Sequence, residues 1–487
     1  MVKAVVGEET RLNLVEDRLS QSGLTSQVGL VIGKLSSALD RGFVFDLVPT
    51  PPNDAGEPAC SLNQTAKDDK KKGSKSKSQA VDSSSLTIDK DWVAEHARQV
   101  SRMLVGGIKV VGIYVWVSDN SFKNSTITLC QAVKEVAEAA PISETDWDER
   151  LLIHICYSPR RWTCRNCMLT SNITSSSIRP CDFKMGRVLS SLQNFRCNYN
   201  FELRLPIFHD NASNAPTLTA SLSHGISIHS KELRDAKAII NGDLVVNEES
   251  CSADGLHEVE MLLPFMKDVS VGASSQKDVV GLLVFGGCVC SFAYLNAKEP
   301  VSQAIADIKD DIIGSLQSRL DIICDEASGD LFPIEDGDKE IGHDELAQNP
   351  VPKLVPHLLR KTCGLSFPRR VFIPWLGGTF ICDYLQPSET LEVVKDHCVE
   401  LMSMEAPTDT STILEPEVDA PSLMAKSFWD VVVPGHSQSS SSVEKSGKGN
   451  TSADSNDKSI KSFGFNVLAA VFFLLLALLG GIVLVRK

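Results

Sequence analysis

Two apolar runs decide how this chain is read: QVGLVIGKL at 27–35 and IKVVGIYVWV at 108–117. Each is short, rich in β-branched residues and bounded by turn formers, the composition of a strand covered on both faces. GFVFDLVPT at 42–50 follows the first run across Asp40-Arg41-Gly42, a spacing that predicts a hairpin. Between the two runs, DKDWVAEHARQVSRML at 89–104 places Trp92, Val93, Ala97, Val100 and Leu104 on one helical face. Asp89 or Asp91 is its N-cap. Residues 125–140 read as a helix closed by Pro141, and 151–158 and 161–169 as further strands. The alternation predicts an α/β (mixed α+β) domain over 1–205.

A second α/β domain is expected over 206–404. VVGLLVFGGCVCSFAYL at 279–295 reads as a hairpin turning at Gly286-Gly287. Residues 301–327 carry helical spacing through Ile305, Ile308, Ile312, Leu316 and Leu320. RRVFIPWL at 369–376 and TFICDYL at 379–385 flank Gly377-Gly378, and Ser388 is expected to cap a helix over 389–402. Two segments lack residues to bury: 53–85, with KDDKKKGSKSKSQAVDSSS, and 405–462, polar and serine-rich. The first is expected to be a disordered insert and the second a flexible tether.

Residues 463–485 hold no charge, and Phe463, Phe472, Leu475, Leu479 and Val485 mark the run. As a helix it would measure about 34 Å, enough for a hydrocarbon core of about 30 Å. It is expected to be a transmembrane anchor in the lipid bilayer. Nothing near the start resembles a signal peptide, and Lys445, Lys448, Lys458 and Lys461 precede the run. The body is therefore expected in the cytosol, where the sequons at Asn63, Asn124, Asn172 and Asn211 stay unmodified.

A net charge of -14 over 487 residues argues against nucleic acid as a partner. The 14 cysteines are scattered, several within apolar runs, which reads as free thiols in a reducing compartment. Enzyme signals are few. Gly29-Leu-Val-Ile-Gly33-Lys34 is one residue short of a phosphate loop, and Leu35 stands where a hydroxyl would hold magnesium. Cys164 and Cys167, with Cys181 and Cys197, could supply four thiolates to a metal, although a zinc site usually shows a second close pair. His224 and His229 read as polar loop residues. No catalytic residue, resident metal or cofactor is expected.

The order hairpin, helix, strand, helix, strand resembles the MPN (JAMM) fold of deubiquitinase-type metalloproteases, including VGLVIG at 28–33 and VVGIY at 110–114. In active members two zinc-binding histidines follow the latter pattern; Val115 and Val117 stand there in this chain. An isopropyl group offers a metal no lone pair, so the resemblance implies a catalytically silent domain. The whole chain resembles the odorant-response-abnormal (Odr-four-like) family, through RGFVFDLVPTPP at 41–52, RRWTCRNC at 160–167, and the blocks at 293–321 and 368–394. That resemblance implies a non-enzymatic adaptor of the endoplasmic reticulum. Its implied partners are the ubiquitin-fold-modifier-specific cysteine protease and multipass membrane receptors. A chaperone that binds receptor membrane segments directly, and a thiol hydrolase needing a Cys–His–Asp geometry, remain alternatives.

Overall fold

The computed structural model describes residues 2–63, 84–142, 148–169, 177–208, 218–245, 255–264, 279–329, 364–407 and 409–427. The first half supplies β1 (Ala4–Glu8), β2 (Gln27–Ser36), β3 (Arg41–Pro49), the short strands β4 (Cys60–Asn63) and β5 (Ser85–Ile88), β6 (Lys109–Trp116), β7 (Glu149–Tyr157), β8 (Arg160–Met168) and β9 (Ile178–Gly186). All but β4 and β5 close a barrel in the order β1-β3-β2-β6-β7-β8-β9. Helices α1 (Glu9–Gln21), α2 (Lys90–Met103), α3 (Asp119–Asn124) and α4 (Thr126–Ala139) join them.

The predicted hairpin is present. β2 pairs antiparallel with β3, and Asp40 takes a φ of 52° in the turn between them. Asp89 is the N-cap of α2, its side chain accepting from the Trp92 N–H at 3.0 Å. β6 lies at the centre, antiparallel to β2 and parallel to β7. It is covered on both faces, as a continuous apolar run requires. Val111, Tyr114 and Trp116 pack with α1, while Val110, Ile113, Val115 and Val117 pack with α2 and α4.

The second half adds β10 (Leu192–Phe208), β11 (Lys237–Ile240), β12 (Asp243–Leu244), β13 (Leu256–Leu262), β14 (Val279–Asn296), β15 (Gly364–Ser366), β16 (Arg369–Pro374), β17 (Phe380–Leu385) and β18 (Ser422–Ser427). Its helices are α5 (Leu218–Arg234), α6 (Val301–Gly329) and α7 (Leu391–Glu400). Seven strands form a sheet in the order β12-β11-β13-β10-β14-β18-β15, and β16 and β17 form a separate hairpin. Leu283, Phe285, Val289, Ala293 and Leu295 of β14 bury against α5 and α6. Cys290, Phe292 and Tyr294, on its other face, enter the core shared by α2, the β16–β17 hairpin and the barrel.

Several expectations are corrected. The run 279–295 is one strand, not a hairpin: Gly286 and Gly287 lie in register opposite Glu202 and Phe201. A Cβ on Gly287 would meet Pro421 Cα at 2.8 Å, so this glycine serves close approach rather than a turn. The boundary expected at 205/206 falls inside β10. The segment from 405 does not begin a tether, because Ile413 and Glu417 are buried, Leu414 exchanges backbone hydrogen bonds with Phe372, and β18 joins the sheet. Within the expected insert 53–85, β4 and β5 pair with each other, while 64–83 fall outside the described residues. Thr390, not Ser388, is the N-cap of α7. Residues 463–485, with Phe463, Phe472, Leu475, Leu479 and Val485, also lie outside the described residues. No helix among the described residues is long and apolar enough to cross a membrane.

Candidate functional site

Val115 and Val117 sit at the C-terminal end of β6, both fully buried. Val115 is the register partner of His154 on β7, and the Val117 N–H continues the pairing by donating to the Ile155 carbonyl at 3.2 Å. The short strand β5 packs beside this end. The Leu86 N–H donates to Ser125 Oγ at 2.6 Å, and the Ser84 and Ser121 hydroxyls lie 2.7 Å apart. Both valines are buried in the apolar core that also holds Leu86 and Ile88 of β5.

One strand over, the structure brings together a donor set that sequence reading missed. His154 and Cys156 alternate along one face of β7, and Asp119 opens α3, so that a carboxylate oxygen, an imidazole nitrogen and a thiol sulfur lie within 4.8 Å of one another. Phe122 stacks on the imidazole with ring centroids 4.2 Å apart, fixing its plane. His154 Nε2 lies 3.0 Å from the Val117 carbonyl, which can only accept, so this nitrogen carries the proton and Nδ1 keeps its lone pair. Burial lowers the His154 pKa, so the imidazole is neutral at ordinary pH. Nδ1 faces Asp119 Oδ1 at 3.9 Å. Asp119 accepts at 2.8 and 2.9 Å from Arg161, whose side chain stands at the surface. The legible signal was His-x-Cys on alternate strand positions; Asp119, from another element, gave none.

The four cysteines of the sequence reading do not converge. Cys164 and Cys167, three apart on β8, point to opposite faces: Cys164 joins the core packed by α1 and Cys167 the core packed by α2 and α4. Cys197 is buried in the second sheet's core. Instead Cys164 lies opposite Cys181 in register, and its thiol bonds that neighbour, which lowers the Cys181 pKa and raises that of Cys164. Cys167 contacts Cys130 in the same way, and Cys130 is lowered. The described cysteines are all free thiols. His224 and His229 lie on α5 rather than in a loop, and His229 is buried with Nε2 2.9 Å from the Tyr199 hydroxyl.

Residues 29–413 match the ODR4-like family, described as odorant response abnormal 4-like. A human protein named Protein odr-4 homolog is 26% identical over 398 residues, which covers 77% of each chain. A Dictyostelium discoideum protein of the same name is 25% identical over 426 residues, 85% of this chain and 82% of its own. Among solved structures, the UfSP from C. elegans aligns at 9% identity with a TM-score of 0.36, over 83% of this chain and 57% of that one.

Proposed function

This chain belongs to the odorant response abnormal 4-like family, and from that premise we propose that it is a non-enzymatic membrane adaptor. Its body stands in the cytosol, tied to the endoplasmic reticulum by the run at 463–485. The body is read as an MPN-like domain fused to a second sheet, and it docks the soluble cysteine protease specific for the ubiquitin-fold modifier. The proposal includes a receptor side, trafficking or localisation of odorant-type multipass receptors, in keeping with a family described as odorant response abnormal 4-like. The observation that carries the adaptor reading is the complete burial of Val115 and Val117 in the core they share with Leu86 and Ile88 of β5. Where an active MPN protease would hold zinc, this chain has apolar side chains and no solvent opening, which leaves binding as the use of the fold.

The test is affinity purification of the full chain from solubilised membranes, beside a chain lacking 463–487. The protease is expected with both, and on membranes only with the full chain. Failure to recover it with either chain overturns the adaptor reading.

A further inference from the structure

We infer that Asp119, His154 and Cys156 form a binding site for a zinc-class divalent cation, with an open fourth position. The site is separate from the positions of Val115 and Val117 and does not depend on the adaptor reading. Its donors are one carboxylate, one imidazole and one thiol, the mixed O, N and S set that zinc accepts. A tetrahedral zinc with ligands at about 2.0–2.3 Å sets its ligand atoms about 3.3–3.7 Å apart, so a set lying within 4.8 Å needs to close by only about 1 Å. The Asp119–His154 edge, at 3.9 Å, is almost there.

The surroundings are those of a ligand histidine. Its remote ring N–H donates to a backbone carbonyl, that of Val117, which presents the unprotonated Nδ1 to the donor set. The Phe122 ring holds the imidazole plane, and Arg165 lies over that ring at 4.8 Å. Cys156 Sγ is buried and donates weakly to the Ser158 carbonyl at 3.4 Å. On binding, the thiol proton passes to solvent and the sulfur lone pair joins the metal; thiolate and carboxylate then balance the two positive charges. Asp119 is 28% exposed, so cation and water reach the site from its side.

Arg161 is the competing cation. It bonds both oxygens of Asp119, yet its own side chain is 53% exposed. A bridge of that kind contributes little and its arginine swings into water readily. The guanidinium therefore competes with a metal for the carboxylate and must leave when one binds.

The experiment uses the full chain in detergent, stripped with a chelator and titrated with Co2+ and then Zn2+. One equivalent of Co2+ is expected, with a thiolate-to-cobalt charge-transfer band in the near ultraviolet that Zn2+ abolishes. Cys156→Ser should lose the band, and Cys164→Ser and Cys167→Ser should keep it. Arg161→Ala changes only the surface competitor and should tighten binding several-fold. Absence of the band, its survival in Cys156→Ser, its loss in Cys164→Ser or Cys167→Ser, or unchanged affinity in Arg161→Ala overturns the assignment.

Discussion

Lys34 Nζ lies 2.6 Å from Asp307 Oδ2, although 273 residues separate them and both side chains are buried. The same ammonium donates to the Tyr294 carbonyl at 2.9 Å and lies 3.6 Å from Glu299. Barrel strand β2 is thereby joined to α6 and β14, which is why the two halves share a core. Removing one partner leaves a charge uncompensated away from water. Lys34→Met is expected to destabilise the fold by about 3–5 kcal/mol in urea unfolding, and Asp307→Leu added to it should restore part of the loss. Burial works against the cation, but the Asp307 and Glu299 carboxylates outweigh it and raise its pKa above the ordinary 10.5. The lysine's own contribution is thus fully present below pH 10.5 and lost as pH rises through the raised value, while burial raises the Asp307 pKa, so the pair also weakens as acid protonates that carboxylate.

Glu417 is the second lock. It pairs with the fully buried Arg319 and accepts the N–H groups of Arg370 at 2.8 Å and Cys290 at 3.1 Å. A chain ending at 404, where the sequence suggested the folded part stops, loses both this carboxylate and β18. It is expected to be protease-sensitive and poorly soluble, whereas a chain ending at 433 should resist limited proteolysis. Equal resistance in the two would show that the 405–427 segment contributes nothing to the fold.

His397 Nδ1 meets Asp383 Oδ2 at 2.8 Å, and that hydrogen bond raises the histidine pKa above 6.5. Its contribution is fully present below pH 6.5 and lost as pH rises through the raised value. Asp383→Asn should return the His397 titration, followed by NMR, toward the ordinary histidine range; an unmoved midpoint contradicts the pairing.

The legible parts of the fold are those in which local pattern and tertiary partner agree. Asp89 heads an amphipathic run and is the N-cap in fact. The β2–β3 turn signal at Asp40-Arg41-Gly42 marks the hairpin, although the turn itself occupies 37–40 and Arg41 and Gly42 already pair with Ser36 and Leu35. Gly286-Gly287 carries an equally strong turn signal, but both residues continue a straight strand because β10 pairs with them on one side and Pro421 approaches on the other. Such a demand comes from residues far along the chain and leaves no local mark. The same holds for the sites. Cys164 and Cys167 look like a ligand pair, yet a spacing of three on a strand sends them to opposite faces. The histidine and cysteine of β7 are brought to Asp119 only by parallel pairing of β6 with β7. The valines at 115 and 117 could be placed on a strand from sequence, but the far-off residues that complete the core around them could not.

A fractionation experiment tests whether the proposed anchor is separable from recognition. Deleting 463–487 should move the chain from carbonate-resistant membranes to the soluble fraction, and replacing that run with an unrelated tail anchor should return it with the protease still bound. A deleted chain that remains in the membrane pellet contradicts a single anchor.

The most direct measurement is binding in solution between the chain ending at 433 and the ubiquitin-fold-modifier-specific cysteine protease, by calorimetry or sedimentation. A stable complex is expected without any membrane segment. It should be lost with Val111→Glu, which buries a carboxylate at a fully enclosed β6 position. No complex in solution, with the protease held only by the full chain in membranes, would contradict docking by the body and assign recognition to the membrane segment.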